Sequence, residues 1–401
     1  MRRQTLYVKL PEPHKPTQKP AYMPPFGLWS MATNMLKWHG EEFNIVDLHL
    51  HGWHQLKEQL ESADPDRVCI SAQFSIQHQH YLDAVEMCRG REIIAGGFHA
   101  SAVPAPEGVR VIRGDGELGL SPGKTFEDIQ YPAPRPDWMA PYWQAGAPHD
   151  LQSKTQRWIP VEFSRGCFRR CGYCGVPRFW GMPRYYARAK IAAYLDALVS
   201  KGFEEVFIED DNFIADPDNF RWIIQQLGQR GLWWSTPNGI SAKSLAPFVD
   251  DLPAARCWRV ALPFETGTLS TARLMGLGNK WMPQSEALTL VQRLKDNGIL
   301  TCGFFIIGYP GESLPDMQAT LDYANSLPLD QRNVYIATPY PGTPLYDLCV
   351  EKGYLTSQPP ELYTDLLYTR GLIRTPEWTP EDVEELKKRD RDAAIARRAK
   401  T

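Results

Sequence analysis

The chain has 401 residues, 43% of them hydrophobic and 23% charged, an ordinary globular composition with material for roughly two or three domains. A net charge of −3 gives no global reason to expect nucleic acid or an anionic membrane as a partner, and no apolar run approaches a membrane span. Eight cysteines, three clustered and the rest (Cys69, Cys88, Cys257, Cys302, Cys349) scattered mostly in apolar runs, do not make a disulfide scaffold and suit a reducing cytoplasm. Met1-Arg2-Arg3-Gln4-Thr5 leads into only a short strand-like run, so no secretory signal is expected.

Leu6-Tyr7-Val8-Lys9-Leu10 reads as a buried strand, followed by a Pro-rich loop from Pro11 to Pro25. Phe26-Gly27-Leu28 opens a helical pattern through Met31, Met35, Leu36 and Trp38 that ends at Gly40. Asn44 to Leu48 predicts a second strand, Leu56 to Leu60 a helix, Arg67 to Ser71 a third strand and His78 to Met87 another helix. Glu92 to Gly97 predicts a fourth strand, and Val109 to Glu117 a fifth that ends in a turn. This alternation predicts an α/β, Rossmann-like domain over residues 1–125, with ligand binding at the carboxyl ends of its parallel strands. Gly96-Gly97 at such an end lets backbone approach a flat ligand closely.

From Leu118 to Gln156 the chain is rich in Pro, Gly and isolated aromatics, and it reads as a surface linker with its centre over residues 126–157. Residues 158–345 then alternate strand and helix six times. The strands are Trp158 to Phe163, Glu205 to Ile208, Leu232 to Ser235, Trp258 to Leu262, Leu300 to Ile307 and Asn333 to Ala337. Tyr186 to Lys201, Asn219 to Arg230 and Gln284 to Asn297 are the clearest helices between them. Six β/α units suggest a partial barrel, whose chemistry sits at the C-terminal strand ends. A helical tail fills residues 346–401, with Thr379 as N-cap, Pro380 in the first turn and a basic end near Arg397-Arg398.

The first barrel strand runs into Ser164-Arg165-Gly166-Cys167-Phe168-Arg169-Arg170-Cys171-Gly172-Tyr173-Cys174, a C-x3-C-x2-C spacing. Thiolates are soft ligands for iron, and iron–sulfur clusters are usually held by four of them. No fourth Cys or His lies nearby; His149 upstream and Cys257 far downstream are the nearest in sequence. A four-iron cluster held here leaves one iron without a protein ligand, and an open position marks a catalytic site. Cys171-x-x-Cys174 alone would suit a thioredoxin-like pair, which leaves Cys167 unexplained, and a zinc site would want a fourth ligand at short spacing.

The cysteine spacing, Tyr173 before the last cysteine and the preceding strand resemble the radical S-adenosylmethionine (SAM) superfamily, whose open iron chelates the amino and carboxylate groups of SAM. The strand exits carry further matches. Glu209-Asp210-Asp211-Asn212-Phe213 resembles the segment that contacts the SAM amino group, Asn238-Gly239-Ile240 the segment near the ribose, and Glu265-Thr266-Gly267 with Lys280 the acid and base near the SAM hydroxyls and carboxylate. An exposed loop lysine is the alternative for Lys280. Gly303 to Gly308, leading into Tyr309-Pro310-Gly311-Glu312, looks like the element packed on adenine, and Pro339 to Tyr346 like the closing turn of cobalamin-type and methylthiotransferase-type members.

In the first domain, Pro24 to Leu28, Ile70-Ser71-Ala72, Ala95 to Ala100 and Arg113-Gly114-Asp115-Gly116-Glu117 resemble the cobalamin-binding domain that precedes the barrel in many radical SAM proteins. The resemblance implies that Ser71, Ser75, Gly96 and Gly97 contact cobalamin. Asp47-Leu48-His49-Leu50-His51-Gly52 matches the D-x-H-x-x-G segment whose His ligates cobalt in some enzymes, but it follows the second strand rather than the first. The loop after the first strand holds only His14, so cobalamin without a His ligand is expected, with His49 and His51 as surface or loop residues.

The resemblance as a whole implies a cobalamin-dependent, class B-like radical SAM methyltransferase. Cys167, Cys171 and Cys174 hold a [4Fe–4S] cluster, Tyr173, Asp210, Asp211, Asn212, Asn238, Glu265, Lys280 and Gly308 surround SAM, and cleavage of SAM gives a 5′-deoxyadenosyl radical that activates a substrate carbon for methylation. It also implies a small-molecule or peptide substrate, a flavodoxin- or ferredoxin-type electron donor, a cytoplasmic monomer, and neither nucleic acid nor membrane as partner. A radical SAM oxidoreductase, cyclase or ring-rearranging enzyme is the alternative within the class, and a cofactor-binding sensor the alternative outside it. A methylthiotransferase is less well matched, because no second three-cysteine cluster stands in the N-terminal third.

Overall fold

The computed structural model describes residues 3–11, 23–146 and 152–398, with side chains to residue 396. His14, His149 and the Arg397 and Arg398 side chains lie outside this description. The chain divides into two compact units, one of Met1–Gly166, Phe179–Asp211 and Gln226–Trp233, the other of Cys167–Arg178, Asn212–Gln225 and Trp234–Thr401.

In the first unit, β1 (Gln4–Lys9), β2 (Glu42–Asp47), β3 (Arg67–Ser71), β4 (Glu92–Gly96) and β5 (Val109–Val111) form a parallel sheet in the order β2-β1-β3-β4-β5. Because side chains alternate along a strand, Leu6, Val8, Val68, Ile70, Ile93 and Ala95 share one face with Leu56, Leu60, Tyr81 and Val85. Tyr7, Cys69 and Ile94 take the other face with Leu28 and Ala32. Helices therefore cover both faces, and the strand order reverses direction between β1 and β3, where a doubly wound sheet opens its ligand crevice.

Two expectations need correction. The fifth strand stops at Val111, and Gly116–Leu120 is helical with Asp115 as its N-cap residue. The stretch read as a linker contains a helix, Pro136–Ala145. Its Trp138 and Tyr142 rings lie 5.5 Å and 6.3 Å from Trp29, and Tyr142 donates to Asp47 Oδ2 at 2.9 Å. Ten residues interrupted by Pro141 offer too few turns for a periodicity to register, so packing against Trp29 and Phe43 rather than pattern defines this helix.

The same unit holds β6 (Trp158–Val161), β7 (Ser164–Arg165), β8 (Arg184–Tyr185) and β9 (Glu205–Ile208). β6 pairs in parallel with β9, while β7 and β8 form a short antiparallel ribbon at the base of the cysteine loop. In the second unit, β10 (Trp233–Thr236), β11 (Cys257–Glu265), β12 (Leu300–Ile307) and β13 (Gln331–Ile336) run parallel in that order. Ile307 and Ile336 pack with Met317, Leu321, Val383 and Leu386, which seats helices Leu314–Ser326 and Pro380–Arg398 on the strands. β6 and β9 to β13 are the six strands of a partial (β/α)6 barrel. Thr379 and Asp382 cap each other at the start of the tail helix, as expected, and Asp390 pairs with Arg332 of β13 at 2.8 Å. No helix among the described residues is long and apolar enough to cross a membrane.

The two glycines that end β4 differ. Gly97 has φ +98°, and a Cβ there would sit 2.5 Å from the Ala72 carbonyl oxygen, which also accepts from His99 N at 3.1 Å. A Cβ on Gly96 would lie an ordinary 3.7 Å from Ile112 O. Gly97→Ala is therefore expected to destabilise the chain by about 2–3 kcal/mol and Gly96→Ala by under about 1 kcal/mol in urea unfolding. Equal losses would show that the β4 exit relaxes around a side chain.

Candidate cofactor site

The second unit builds its site on the cysteine loop. Gly172 N donates to Met275 O and Leu345 N donates to Gly172 O, each at 2.8 Å. A Cβ on Gly172 would collide with the Tyr309 hydroxyl at 2.2 Å, so only glycine lets β12's exit residue close on the loop. Arg169 fans out to Asn279 Oδ1 at 3.0 Å and to the Ser241 and Ser244 hydroxyls at 3.2 Å.

The thiols sit among groups that suit thiolates. Cys167 Sγ accepts from Arg169 N at 3.4 Å and Asn212 Nδ2 at 3.5 Å. Burial pushes the Cys167 thiol up and the Cys174 thiol up to about 12, partly through the neighbouring cysteines. Thiols this buried stay protonated alone, and a bound cationic centre reverses that preference. Among the described residues no group of three His, Cys, Asp or Glu converges as one ion would require. A cube that gives each thiolate its own iron does not ask for such convergence. The three-thiol loop fits a [4Fe–4S] cluster in donor type and number.

Beside the loop lies a buried triad. Tyr173 OH donates to Glu265 Oε1 at 2.5 Å, and Lys280 Nζ reaches Glu265 Oε1 at 2.7 Å and Tyr173 OH at 3.2 Å. Lys280 is thus not an exposed loop residue; its side chain keeps 11% of its surface and that of Glu265 6%. Burial works against the Lys280 charge, but Glu265 outweighs it and holds the ammonium above its ordinary value. Glu265 adopts φ +69° where the register of β11 against β12 shifts, a strained bulge that re-aims the carboxylate from the strand end. Asn238 is exposed after β10, and Gly308 N donates to Glu312 Oε2 at 2.9 Å after β12.

In the first unit, Asp210 and Asp211 leave β9 and turn inward. Asp210 accepts from Phe163 N at 2.7 Å and Ser164 Oγ at 2.5 Å, and Asp211 Oδ2 accepts from Gly166 N at 2.8 Å. Burial raises both carboxyls, Asp211 to about 6. At the β3 and β4 exits, Ser71 Oγ accepts from Gln73 Nε2 at 3.1 Å. Ser75 Oγ lies 3.1 Å from His99 Nδ1, and His99 Nε2 lies 2.9 Å from His78 Nδ1. Burial lowers His99 to about 3 and lowers His78 as well, so both rings are neutral near pH 7. The D-x-H-x-x-G-like segment follows β2, and its Asp47 accepts from His49 N to cap helix Leu48–His51. No internal contact obliges Gly96 to be glycine, since a Cβ there would meet only Ile112 O at 3.7 Å.

Sequence reading missed Arg165, which is buried in ion pairs with Asp115, Glu117 and Glu162. Its signal was present in two quoted motifs, Ser164-Arg165-Gly166-Cys167 and Arg113-Gly114-Asp115-Gly116-Glu117, whose pairing across the chain no spacing reveals.

A three-cysteine loop follows the first strand of the partial barrel, and a doubly wound sheet precedes it in the chain. The Radical SAM superfamily profile matches residues 161–324. The chain is 28% identical over 279 residues to the cytidylyl-2-hydroxyethylphosphonate methyltransferase of Streptomyces wedmorensis, an alignment covering 67% of this chain and 51% of the relative. The chain thus spans about half the length of that relative. Its fold is that of the radical SAM methyltransferase TsrM from Kitasatospora setae, solved with cobalamin and a [4Fe–4S] cluster (TM-score 0.66, 17% identity, 90% of this chain and 80% of that one). It is also that of the cobalamin-dependent radical SAM enzyme OxsB, solved with aqua-cobalamin and SAM (TM-score 0.72, 12% identity, 96% of this chain and 66% of that one).

Proposed function

We propose that this chain is a cobalamin-dependent radical SAM enzyme that cleaves SAM reductively and methylates an unactivated carbon of a small-molecule or peptide substrate. The observation that carries this reading is the buried Tyr173–Glu265–Lys280 triad beside three thiols in one loop. When bound, the [4Fe–4S] cluster supplies an electron to SAM and cobalamin supplies the methyl group. Cys167, Cys171 and Cys174 hold the cluster, and Arg169 N and Asn212 donate to the first of these sulfurs. Glu265 and Lys280 face the hydroxyls and carboxylate of SAM, a carboxylate and an ammonium held rigid before the ligand arrives. Tyr173 fixes the Glu265 carboxylate, while Asn238 and Gly308 line the exits of β10 and β12.

Asp210 and Asp211 fix the backbone from Phe163 to Gly166, which leads into the cysteine loop. Gly96, Gly97, Ser71 and Ser75, at and just after the β3 and β4 exits, would hold cobalamin, and no His ligand is expected from the segment after β2. Electrons come from a flavodoxin- or ferredoxin-type donor. The first relative, itself named a methyltransferase, supports methyl transfer as the net reaction.

The test is anaerobic incubation of the reconstituted chain with reductant, SAM and methylcobalamin. Wild type is expected to release 5′-deoxyadenosine and Cys171→Ala to release none. No 5′-deoxyadenosine from a wild type loaded with iron would overturn the radical reading. Release of 5′-deoxyadenosine by a chain that retains no cobalamin would overturn methylation alone.

A further inference from the structure

The loop of residues 166–183 leaves from β7 and returns at β8, and the ribbon pairs Arg165 directly opposite Arg184. Two cations facing each other on an antiparallel pair repel, so this ribbon needs anions to close. The N-terminal domain supplies two of them, Asp115 and Glu117, and Glu162 just after β6 supplies a third. Arg165 Nη1 donates to Asp115 Oδ1 at 2.8 Å and Glu117 Oε2 at 3.1 Å, and Nη2 donates to Glu117 Oε1 at 3.0 Å and Glu162 Oε1 at 2.6 Å. Nε donates to Glu162 Oε1 at 2.8 Å, so each of the five N–H donors of a guanidinium has a carboxylate. The other oxygen of Asp115 holds Arg184, which bridges the two facing arginines. Glu117 is fully buried, and despite that burial the Arg165 charge keeps its carboxyl below the usual range, so the anion persists near neutral pH. Ser30 Oγ donates to Glu117 Oε1 at 2.6 Å from the opposite side, and Tyr186 OH donates to Glu162 at 2.8 Å.

We propose that Asp115 and Glu117 are positioning residues for the cysteine loop: the N-terminal domain sets the two ends of the segment that carries Cys167, Cys171 and Cys174. Their place in the chain assigns them to a cofactor-binding domain, yet their side chains are spent on the ribbon. The domain would then be needed to assemble the iron site as well as to hold its own ligand. The iron readout below rests on the cluster reading of the loop, and the proteolysis readout does not.

The test compares full-length Asp115→Asn, Glu117→Gln, Glu117→Asp and Ser30→Ala with wild type. In the cofactor-free proteins, trypsin cleavage after Arg169 and Arg170 is expected to rise about tenfold in Asp115→Asn and Glu117→Gln. It should stay within about twofold in Ser30→Ala, which leaves every Arg165 contact charged. Glu117→Asp, which keeps the anion, should restore part of the protection. After anaerobic reconstitution, iron per chain in Asp115→Asn should fall below about half of wild type, with an altered EPR signal of the reduced protein. Wild-type protection and iron in both charge-removing variants would overturn the proposal. So would protection lost only together with a collapse of the whole chain's melting transition. Loop protection lost as expected, in a series where even wild type binds no iron, would uphold the positioning role and reject the cluster.

Discussion

Replacing Lys280 by Met is expected to cost the cofactor-free chain about 3–5 kcal/mol of unfolding free energy, because it strands the Glu265 carboxylate in a buried site. The pair lies 2.7 Å apart with 11% and 6% of the two side chains exposed, so water does little to screen either charge. Tyr173 would remain as a donor to Glu265, but one hydroxyl does not replace an ammonium. Glu265→Gln should cost a similar amount by stranding Lys280. The double variant Glu265→Gln, Lys280→Met removes both charges and should recover most of the loss, which gives a coupling energy of about 2 kcal/mol or more. Urea unfolding in the presence of a thiol reductant and a chelator measures it. Strictly additive single losses would mean that the two charges do not depend on each other. In the reconstituted protein either single change should also weaken SAM binding, since the proposed SAM contacts are these same groups.

The second large effect is a pH dependence centred on Glu312. This carboxyl is fully buried, and Oε2 accepts from Gly308 N at 2.9 Å and Tyr309 N at 3.0 Å. Burial nonetheless pushes its pKa from 4.5 up to about 8. An acid whose folded value is raised holds its proton longer in the native state than in the unfolded chain. Its contribution to stability is therefore fully present below about pH 4.5 and is lost as pH rises through about 8. Glu312→Gln keeps an acceptor for the two amides and removes the ionisation. It should be near neutral at pH 5 and more stable than wild type by roughly 2–4 kcal/mol at pH 9. Asp211, raised to about 6, and Asp210, raised well above the usual carboxylate range by burial, act in the same direction in both proteins, so the difference between wild type and Glu312→Gln isolates Glu312. Parallel stability curves for the two proteins across pH 5–9 would mean that Glu312 ionises without cost.

Much of the fold was legible because it is written at short range. Apolar runs of four to eight residues alternating with helical periodicity place β1 to β4 and the barrel strands, and β12 matches its expected bounds of Leu300 to Ile307. The helix Pro136–Ala145 was not legible, since Trp138 and Tyr142 are held by rings on Trp29 and Phe43 about a hundred residues away. At the candidate site, Glu265 and Lys280 stood out by their place after a strand exit. Their ion pair depends on a left-handed Glu265 that no local pattern announces. The Gly96-Gly97 pair looked uniform in sequence, yet Ala72, which follows β3, makes one glycine obligatory and leaves the other open.

By itself, then, the sequence determined the set and spacing of the three thiols, the order of strands and helices, and the residues that stand at strand exits. These are properties of contiguous segments, read from ligand chemistry and periodicity. Only the tertiary structure decided which exit residues are occupied within the protein and which face outward. Asp210 turned to Phe163 and Ser164, Asp115 and Glu117 to Arg165, and Glu265 to Lys280. Which partner a buried charge finds depends on how distant segments exclude water from one another, and that is settled by packing rather than by neighbours in the chain.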